Sequence, residues 1–144
     1  IGSTTATVIK KGKLTNYTLD LAPFTQSGRT LVPIRFVAES FGAQVKWTED
    51  SGNTGEGEII IALTKNDGSR IIIRLHTLVK KSQIVRYAPN SNKPVITQYE
   101  LEVAPFVVKP ADRTVVPLRF IAEGFGSEVN WYPDTKQIEI LYLP

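Results

Sequence analysis

The chain has 144 residues, 42% of them apolar and 22% charged, a balance typical of globular proteins with enough apolar surface for a real core. Its net charge of +3, from 17 basic and 14 acidic residues, is too weak and too scattered to mark a nucleic-acid or membrane-surface partner. There is no cysteine, which excludes disulfides and thiolate metal sites, and no apolar run approaches the roughly 20 residues of a membrane-crossing helix. The chain begins at Ile1 without a signal-peptide apolar core, so it is expected to be a processed product or a piece of something longer.

In chain order, Thr4 to Ile9 is β-branched and predicts a strand, broken by Lys11-Gly12. Leu14 to Leu21 alternates and predicts a second strand, so the chain opens with a hairpin. Ala22-Pro23-Phe24 ends it, and Gln26-Ser27-Gly28 reads as a surface loop. Pro33 suits the first turn of a helix, and Ile34, Val37, Ala38 and Phe41 follow as one apolar helical stripe. Gly42 stops the helix as a left-handed cap. Gln44 to Thr48 then alternates as a strand, with Val45 and Trp47 on the inward face.

A polar, glycine-rich loop from Asp50 to Glu58 leads into a buried strand at Ile59 to Leu63. Lys65-Asn66-Asp67-Gly68 is hairpin-turn chemistry. From Ser69 to Leu78 the chain returns as a strand, with Ile71, Ile73 and Leu75 on one face and Ile72, Arg74 and His76 on the other. Ser82 to Tyr87 and Val95 to Val103 are further strands, separated by a turn-rich stretch from Asn90 to Pro94.

The remainder repeats what came before. Arg113 to Asp134 (RTVVPLRFIAEGFGSEVNWYPD) aligns without a gap to Arg29 to Asp50 (RTLVPIRFVAESFGAQVKWTED), with 13 of 22 positions identical, where unrelated segments share about one or two. The duplication reaches upstream: Leu14-Thr15-Asn16-Tyr17 matches Ile96-Thr97-Gln98-Tyr99, and Leu21-Ala22-Pro23-Phe24 matches Val103-Ala104-Pro105-Phe106. After a turn at Thr135-Lys136-Gln137, Ile138 to Leu143 closes as a strand. Each unit therefore reads as hairpin, loop, short helix and two strands, which is marginal for burying a core alone. The expected fold is α+β: a single domain over 1–144 built of two tandem repeats, about 1–64 and 65–144. Each is a short helix packed on antiparallel strands, and the two share one core with pseudo-two-fold symmetry.

Arg35 and Glu39, repeated as Arg119 and Glu123, sit at i and i+4 on the helix flank. The functional reading makes them an anion clamp and an acid or metal ligand; the favoured reading is an ion pair that fixes the helix against neighbouring loops, because no second carboxylate or histidine stands at matched spacing. Phe36 and Phe120 lie opposite the apolar stripe. They are either covered by the preceding Ala-Pro-Phe loop, the favoured reading, or exposed for a partner. Trp47 and Trp131 could stack on sugar rings but alternate in phase with Val45 and Val129, which favours the core. Tyr132 points the other way and is a candidate surface contact, on one copy only because its counterpart is Thr48.

His76 is the only histidine and reads as solvated. No phosphate loop occurs, since the glycines from Gly52 to Gly57 lead into a strand rather than a helix. Asp50, Glu56, Glu58, Asp67 and Asp134 could take calcium weakly, without EF-hand spacing. No catalytic set, and no metal or other cofactor, is expected.

The doubled phrase strongly resembles the copper amine oxidase N-terminal-like domain, or stalk domain. Its motif residues are Arg29/Arg113, Val32-Pro33/Val116-Pro117, Arg35-Phe36/Arg119-Phe120, Glu39/Glu123, Gly42/Gly126 and Trp47/Trp131. With the linking hairpins the resemblance covers nearly the whole chain. It implies a twisted antiparallel sheet wrapped about a short helix in each repeat. It implies no oxidase activity, because copper and the tyrosine-derived quinone of those enzymes belong to a separate catalytic domain. It further implies a secreted or cell-wall-associated bacterial surface module. The expected partners are neighbouring domains of a longer chain, or a cell-surface protein or polysaccharide. The expected role is structural or protein-interacting, the alternative a carbohydrate- or cell-wall-binding module using Tyr132, Tyr87, Tyr17 or Tyr99.

Overall fold

A computed structural model describes residues 5–10, 13–18, 21, 24–49, 56–108, 113–132 and 137–142. Within these, thirteen strands and two short helices make a strand-rich α+β architecture. In order they are β1 (Thr5–Lys10), β2 (Lys13–Thr18), β3 (Phe24–Gln26), β4 (Arg29–Pro33), α1 (Ile34–Phe41), β5 (Gln44–Glu49), β6 (Gly57–Thr64) and β7 (Arg70–His76). There follow β8 (Val79–Tyr87), β9 (Val95–Glu100), β10 (Phe106–Val108), β11 (Arg113–Pro117), α2 (Leu118–Gly124), β12 (Glu128–Tyr132) and β13 (Gln137–Tyr142).

Three sheets result, ordered β12-β13-β1-β2, β10-β11-β4-β3 and β5-β6-β7-β8-β9. The opening hairpin β1–β2 does not stay beside the helix that follows it. It completes the sheet begun by β12 and β13 of the second motif copy, with β1 parallel to β13. The equivalent hairpin β8–β9 lies in the sheet of β5 and β6, separated from β6 by β7. Because β7 is antiparallel to both neighbours, β6 and β8 run parallel, as β13 and β1 do.

The small central sheet joins the two copies of the motif. β4 and β11 pair antiparallel in the register Leu31↔Pro117, Val32↔Val116 and Pro33↔Val115, so equivalent valines face each other. Phe41 and Phe125, equivalent helix-end residues, meet edge to face at 5.3 Å between centroids, a favoured aromatic geometry. Phe24 and Phe106, the phenylalanines of the two Ala-Pro-Phe segments, do the same at 6.2 Å.

Alternation decides which faces are buried. Ile59, Ile61 and Leu63 of β6 and Ile71, Ile73 and Leu75 of β7 all point into the main apolar cluster, as their period of two requires. Leu118, Ile121, Ala122 and Phe125 of α2 enter the same cluster. At Gly124, α2 comes so close to the sheet that an added Cβ would stand 3.1 Å from the Cδ1 atoms of Ile73 and Ile84. A second, smaller cluster gathers Leu31, Val103 and Val115, with Phe24 and Phe106 packed on it.

The helix stop is built as its glycine implies. Gly42 and Gly126 have φ of 69° and 80°, the left-handed region that glycine enters without steric cost. At α2, the Gly126 N–H donates to the Glu123 carbonyl at 3.0 Å and the Ser127 N–H to the Ala122 carbonyl at 2.8 Å, the paired bonds of a Schellman cap. The prolines sit one place earlier than a first-turn assignment puts them. Pro33 closes β4, and Pro117, at φ −66° and ψ 116°, is the N-cap of α2.

Local signals elsewhere were partly misleading. Gln26-Ser27-Gly28 is not an open loop: Ser27 and Gly28 have φ of 53° and 76° and turn β3 tightly onto β4, the geometry of a two-residue hairpin. The strand expected to begin at Ser82 begins at Val79, after a turn at Thr77-Leu78 that contains no glycine. There Leu78 holds φ 63°, the Gly57 N–H donates to Thr77 Oγ1 at 2.9 Å, and the Leu78 N–H donates to the Pro105 carbonyl at 2.8 Å. The Lys65–Gly68 turn forms as expected, with the Gly68 N–H donating to the Lys65 carbonyl at 3.0 Å.

Candidate functional site

The repeated residues divide into those the fold consumes and those left at a surface. Phe36 is 3% exposed and belongs to the main cluster. It is buried, as the favoured reading had it, while Ala22 and Pro23, two of the three residues of the expected cover, lie outside the described residues. Phe24 and Phe106 are drawn onto β4 and β11 by the β3 and β10 strands and pack on the other cluster. Phe120, its counterpart, is only half buried and meets Tyr99 edge to face at 5.4 Å.

Trp47 departs from expectation more sharply. It is 38% exposed, and Val45 on the same face is 37% exposed. The alternation was read correctly, in that Val45 and Trp47 share one face of β5, but that face stays partly open to solvent. In the second copy Val129 is 8% exposed, because α2 packs against β12. The side chains of Glu39, Trp131, Tyr132 and Tyr17, together with Asp50, Gly52, Asp134 and the Lys11-Gly12 turn, lie outside the described residues.

Arg119 and Glu123 form the expected i,i+4 pair, at 3.9 Å with both side chains 60% exposed. Such an exposed pair contributes about 0.2–0.5 kcal/mol to a helix. Arg29, the first motif arginine, pairs with Glu102. Both ion pairs stand around a cleft of about 450 Å3 that opens where α2, the end of β9 and the β3–β4 turn meet. Leu101, Leu118 and the Tyr99–Phe120 aromatic pair complete its wall. The cleft is thus amphipathic, lined by an aromatic pair and by two exposed arginine–carboxylate pairs. Sequence reasoning named Phe120, Arg119 and Glu123 separately, but nothing in their spacing could bring Arg29 or Glu102 to them.

The remaining tyrosine candidate is already engaged. Tyr87 carries the Arg70 guanidinium over its ring at 4.1 Å from the centroid, a cation–π contact that covers that face. His76 lies on a shallow polar groove with Glu58, Arg74 and Lys81, and its Nδ1 donates to the Thr77 carbonyl at 2.8 Å. Asp67 is fully exposed in its turn, and its carboxyl is held below the ordinary aspartate range. The Ser69 hydroxyl is the first cause and the Ser69 N–H the second. Among the described residues no three His, Cys, Asp or Glu side chains converge as a metal site. A copper centre of the three-imidazole kind does not fit a chain with one histidine. No helix of the described residues is long and apolar enough to cross a membrane.

Comparison with known proteins gives a match to a protein family. No curated protein and no solved structure matches the chain. The copper amine oxidase N-terminal domain family matches over residues 1–55 and 69–140. Those two segments hold the two copies of the motif and nearly all of β1 to β5 and of β7 to β13. The family is the non-catalytic N-terminal part of copper amine oxidases. The chain belongs to the copper amine oxidase N-terminal domain family.

Proposed function

We propose that this chain is a non-catalytic structural or protein-interaction module of a larger, extracellular or cell-envelope bacterial protein. In this reading it is one domain of two interlocked repeats related by a pseudo-two-fold axis. The observation that carries the reading is how the duplicated residues are spent. Val32 faces Val116 across the central sheet, Phe41 meets Phe125, and Phe24 meets Phe106, each a contact between equivalent positions. Contacts of that kind are what a two-fold axis produces. The motif is therefore a device for joining two repeats, and two of its arginines, Arg29 and Arg119, are paired at the surface with Glu102 and Glu123.

The exchanged hairpins supply the experiment. Each half of the chain lacks strands that complete its own sheet, so residues 1–64 and 65–144 produced separately are expected to show no cooperative thermal transition. Mixing the halves is expected to restore one. Two separate transitions from two separately folding halves would defeat the single interlocked domain.

A second reading, carbohydrate or cell-wall binding, is favoured by Tyr99. It is 39% exposed and stands against Phe120 in a cleft edged by Arg29, Glu102, Arg119 and Glu123. An aromatic face with planar polar groups around it suits a sugar ring. Retention on peptidoglycan or another polysaccharide, lost in Tyr99→Ala with an unchanged melting temperature, would replace the first reading with this one.

A further inference from the structure

The two arginine–carboxylate pairs of the cleft at α2 differ in how tightly they close. Arg29 donates directly to Glu102. Arg119 Nη1 and Glu123 Oε2 stand 3.9 Å apart, beyond the length of a hydrogen bond, so this donor and this acceptor are not spent on each other. Both side chains are 60% exposed and line the cleft together with Tyr99 and Phe120. Phe120 meets Tyr99 with the ring planes at 71°. That contact positions the tyrosine ring while leaving the residue 39% exposed.

Charge decides what such a cleft can take. Its charged lining consists of Arg29, Arg119, Glu100, Glu102 and Glu123. Each arginine has its carboxylate, and Glu100 lies directly opposite Lys81 in the β8–β9 register. An anionic polymer therefore meets no surplus cation, and a cationic ligand must compete with a guanidinium or ammonium already in place. A hydroxyl differs, because it both donates and accepts, whereas a guanidinium only donates and a carboxylate only accepts. Sugar hydroxyls can accept from Arg119 and donate to Glu123 without parting either from its opposite charge. The apolar face of the same sugar ring suits the exposed aromatic ring of Tyr99.

We propose that the cleft recognises an uncharged glycan, with Tyr99 stacked on a sugar ring and the open Arg119–Glu123 pair bridged by that sugar's hydroxyls. Its volume of about 450 Å3 lies within the roughly 300–1,000 Å3 of small-ligand sites. The proposal rests on the carbohydrate-binding reading and deepens it, naming the class of sugar and the side chains that select it. Uronate- or phosphate-bearing polymers are disfavoured, since they would have to pull an arginine from its carboxylate to find a partner.

The test is an NMR titration of the intact chain with three oligosaccharides: a β-1,4-linked glucose oligomer, an N-acetylglucosamine oligomer and a galacturonic acid oligomer. At least one of the two neutral oligomers is expected to bind and to move the Tyr99 resonances. Its affinity should stay level between about 50 and 500 mM NaCl, because no net charge is transferred. Arg119→Ala and Glu123→Ala are each expected to weaken that binding about tenfold, the effect of one lost hydrogen bond to a charged group. Their melting temperatures should match that of the wild type, since an exposed ion pair adds little to stability. Tighter binding of the galacturonic acid oligomer, lost in Tyr99→Ala, would overturn the uncharged class and leave the carbohydrate reading standing. Neutral binding that both alanine variants retain in full would likewise overturn the proposal and spare that reading. Resonances unmoved by all three oligomers would overturn both.

Discussion

The two copies of the motif share 13 of 22 residues and yet sit in different surroundings. In the second copy Leu118 is fully buried, Ser127 is buried, and Val129 lies under α2. In the first, Ile34 and Ala43 are partly buried at the edge of the same cluster, and Val45 and Trp47 face solvent. The difference comes from strand order. β12 and β5 both end a sheet, but β7 is inserted only beside the first copy's pair, and α2 rests on that widened sheet at Ile73 and Ile84. Equal sequence thus specifies equal local structure, while burial is set by which neighbours the topology supplies.

That contrast can be broken experimentally, starting with the core. Leu118→Ala is expected to lower unfolding free energy by about 2–5 kcal/mol, and Ile34→Ala at the equivalent site by distinctly less, both read from denaturant unfolding. Equal costs would show that the two helices are equally covered. Gly124→Ser installs the residue that the first copy carries as Ser40, but here the new Cβ presses on Ile73 and Ile84. Overpacking of this kind costs about 1–3 kcal/mol, an effect that should appear directly as a lower melting temperature.

The caps should behave alike in both copies. At Gly42 an added Cβ meets nothing within 4 Å, and at Gly126 only Lys65 Nζ at 3.5 Å. The cost of Gly→Ala there is therefore the left-handed backbone alone, about 1 kcal/mol at each site. A large inequality between the two would mean that one helix ends differently from the other. Smallest of all, removing the Arg119–Glu123 pair should change stability by no more than about 0.5 kcal/mol, fading with added salt.

Asp67 offers a pH-dependent check outside the motif. Its folded carboxyl titrates below the unfolded one, so its contribution is present above the unfolded value of about 3.9. That contribution is lost as pH falls through the lower folded value, a midpoint that NMR titration of Asp67 would locate.

What could be read in the sequence was local. Helical spacing, the glycine caps and the Lys65–Gly68 turn are short-range signals, and the period-two burial of Ile71, Ile73 and Leu75 needs only one strand. The exposure of Trp47 was not legible, because alternation tells which residues share a face of β5 and not what covers that face. Neither was the cleft, whose walls come from residues 28–30, 99–103, 117–120, 123 and 129. The turn at Leu78 escaped because a leucine holds the left-handed conformation there, tied by its N–H to Pro105 rather than announced by a glycine.

The parallel pairing of β1 with β13 has a mechanical consequence. Thr7 aligns with Glu139 and Lys10 with Tyr142, so the chain enters this sheet at one end and leaves it at the other. Tension applied through whatever precedes β1 and follows β13 would slide the two strands past each other along their length. Their hydrogen bonds would then be strained together instead of being unzipped one by one. Sheared ladders of this kind resist far greater force than peeled ones of equal thermodynamic stability. A module joined in that way within a longer chain can stay folded while it is pulled.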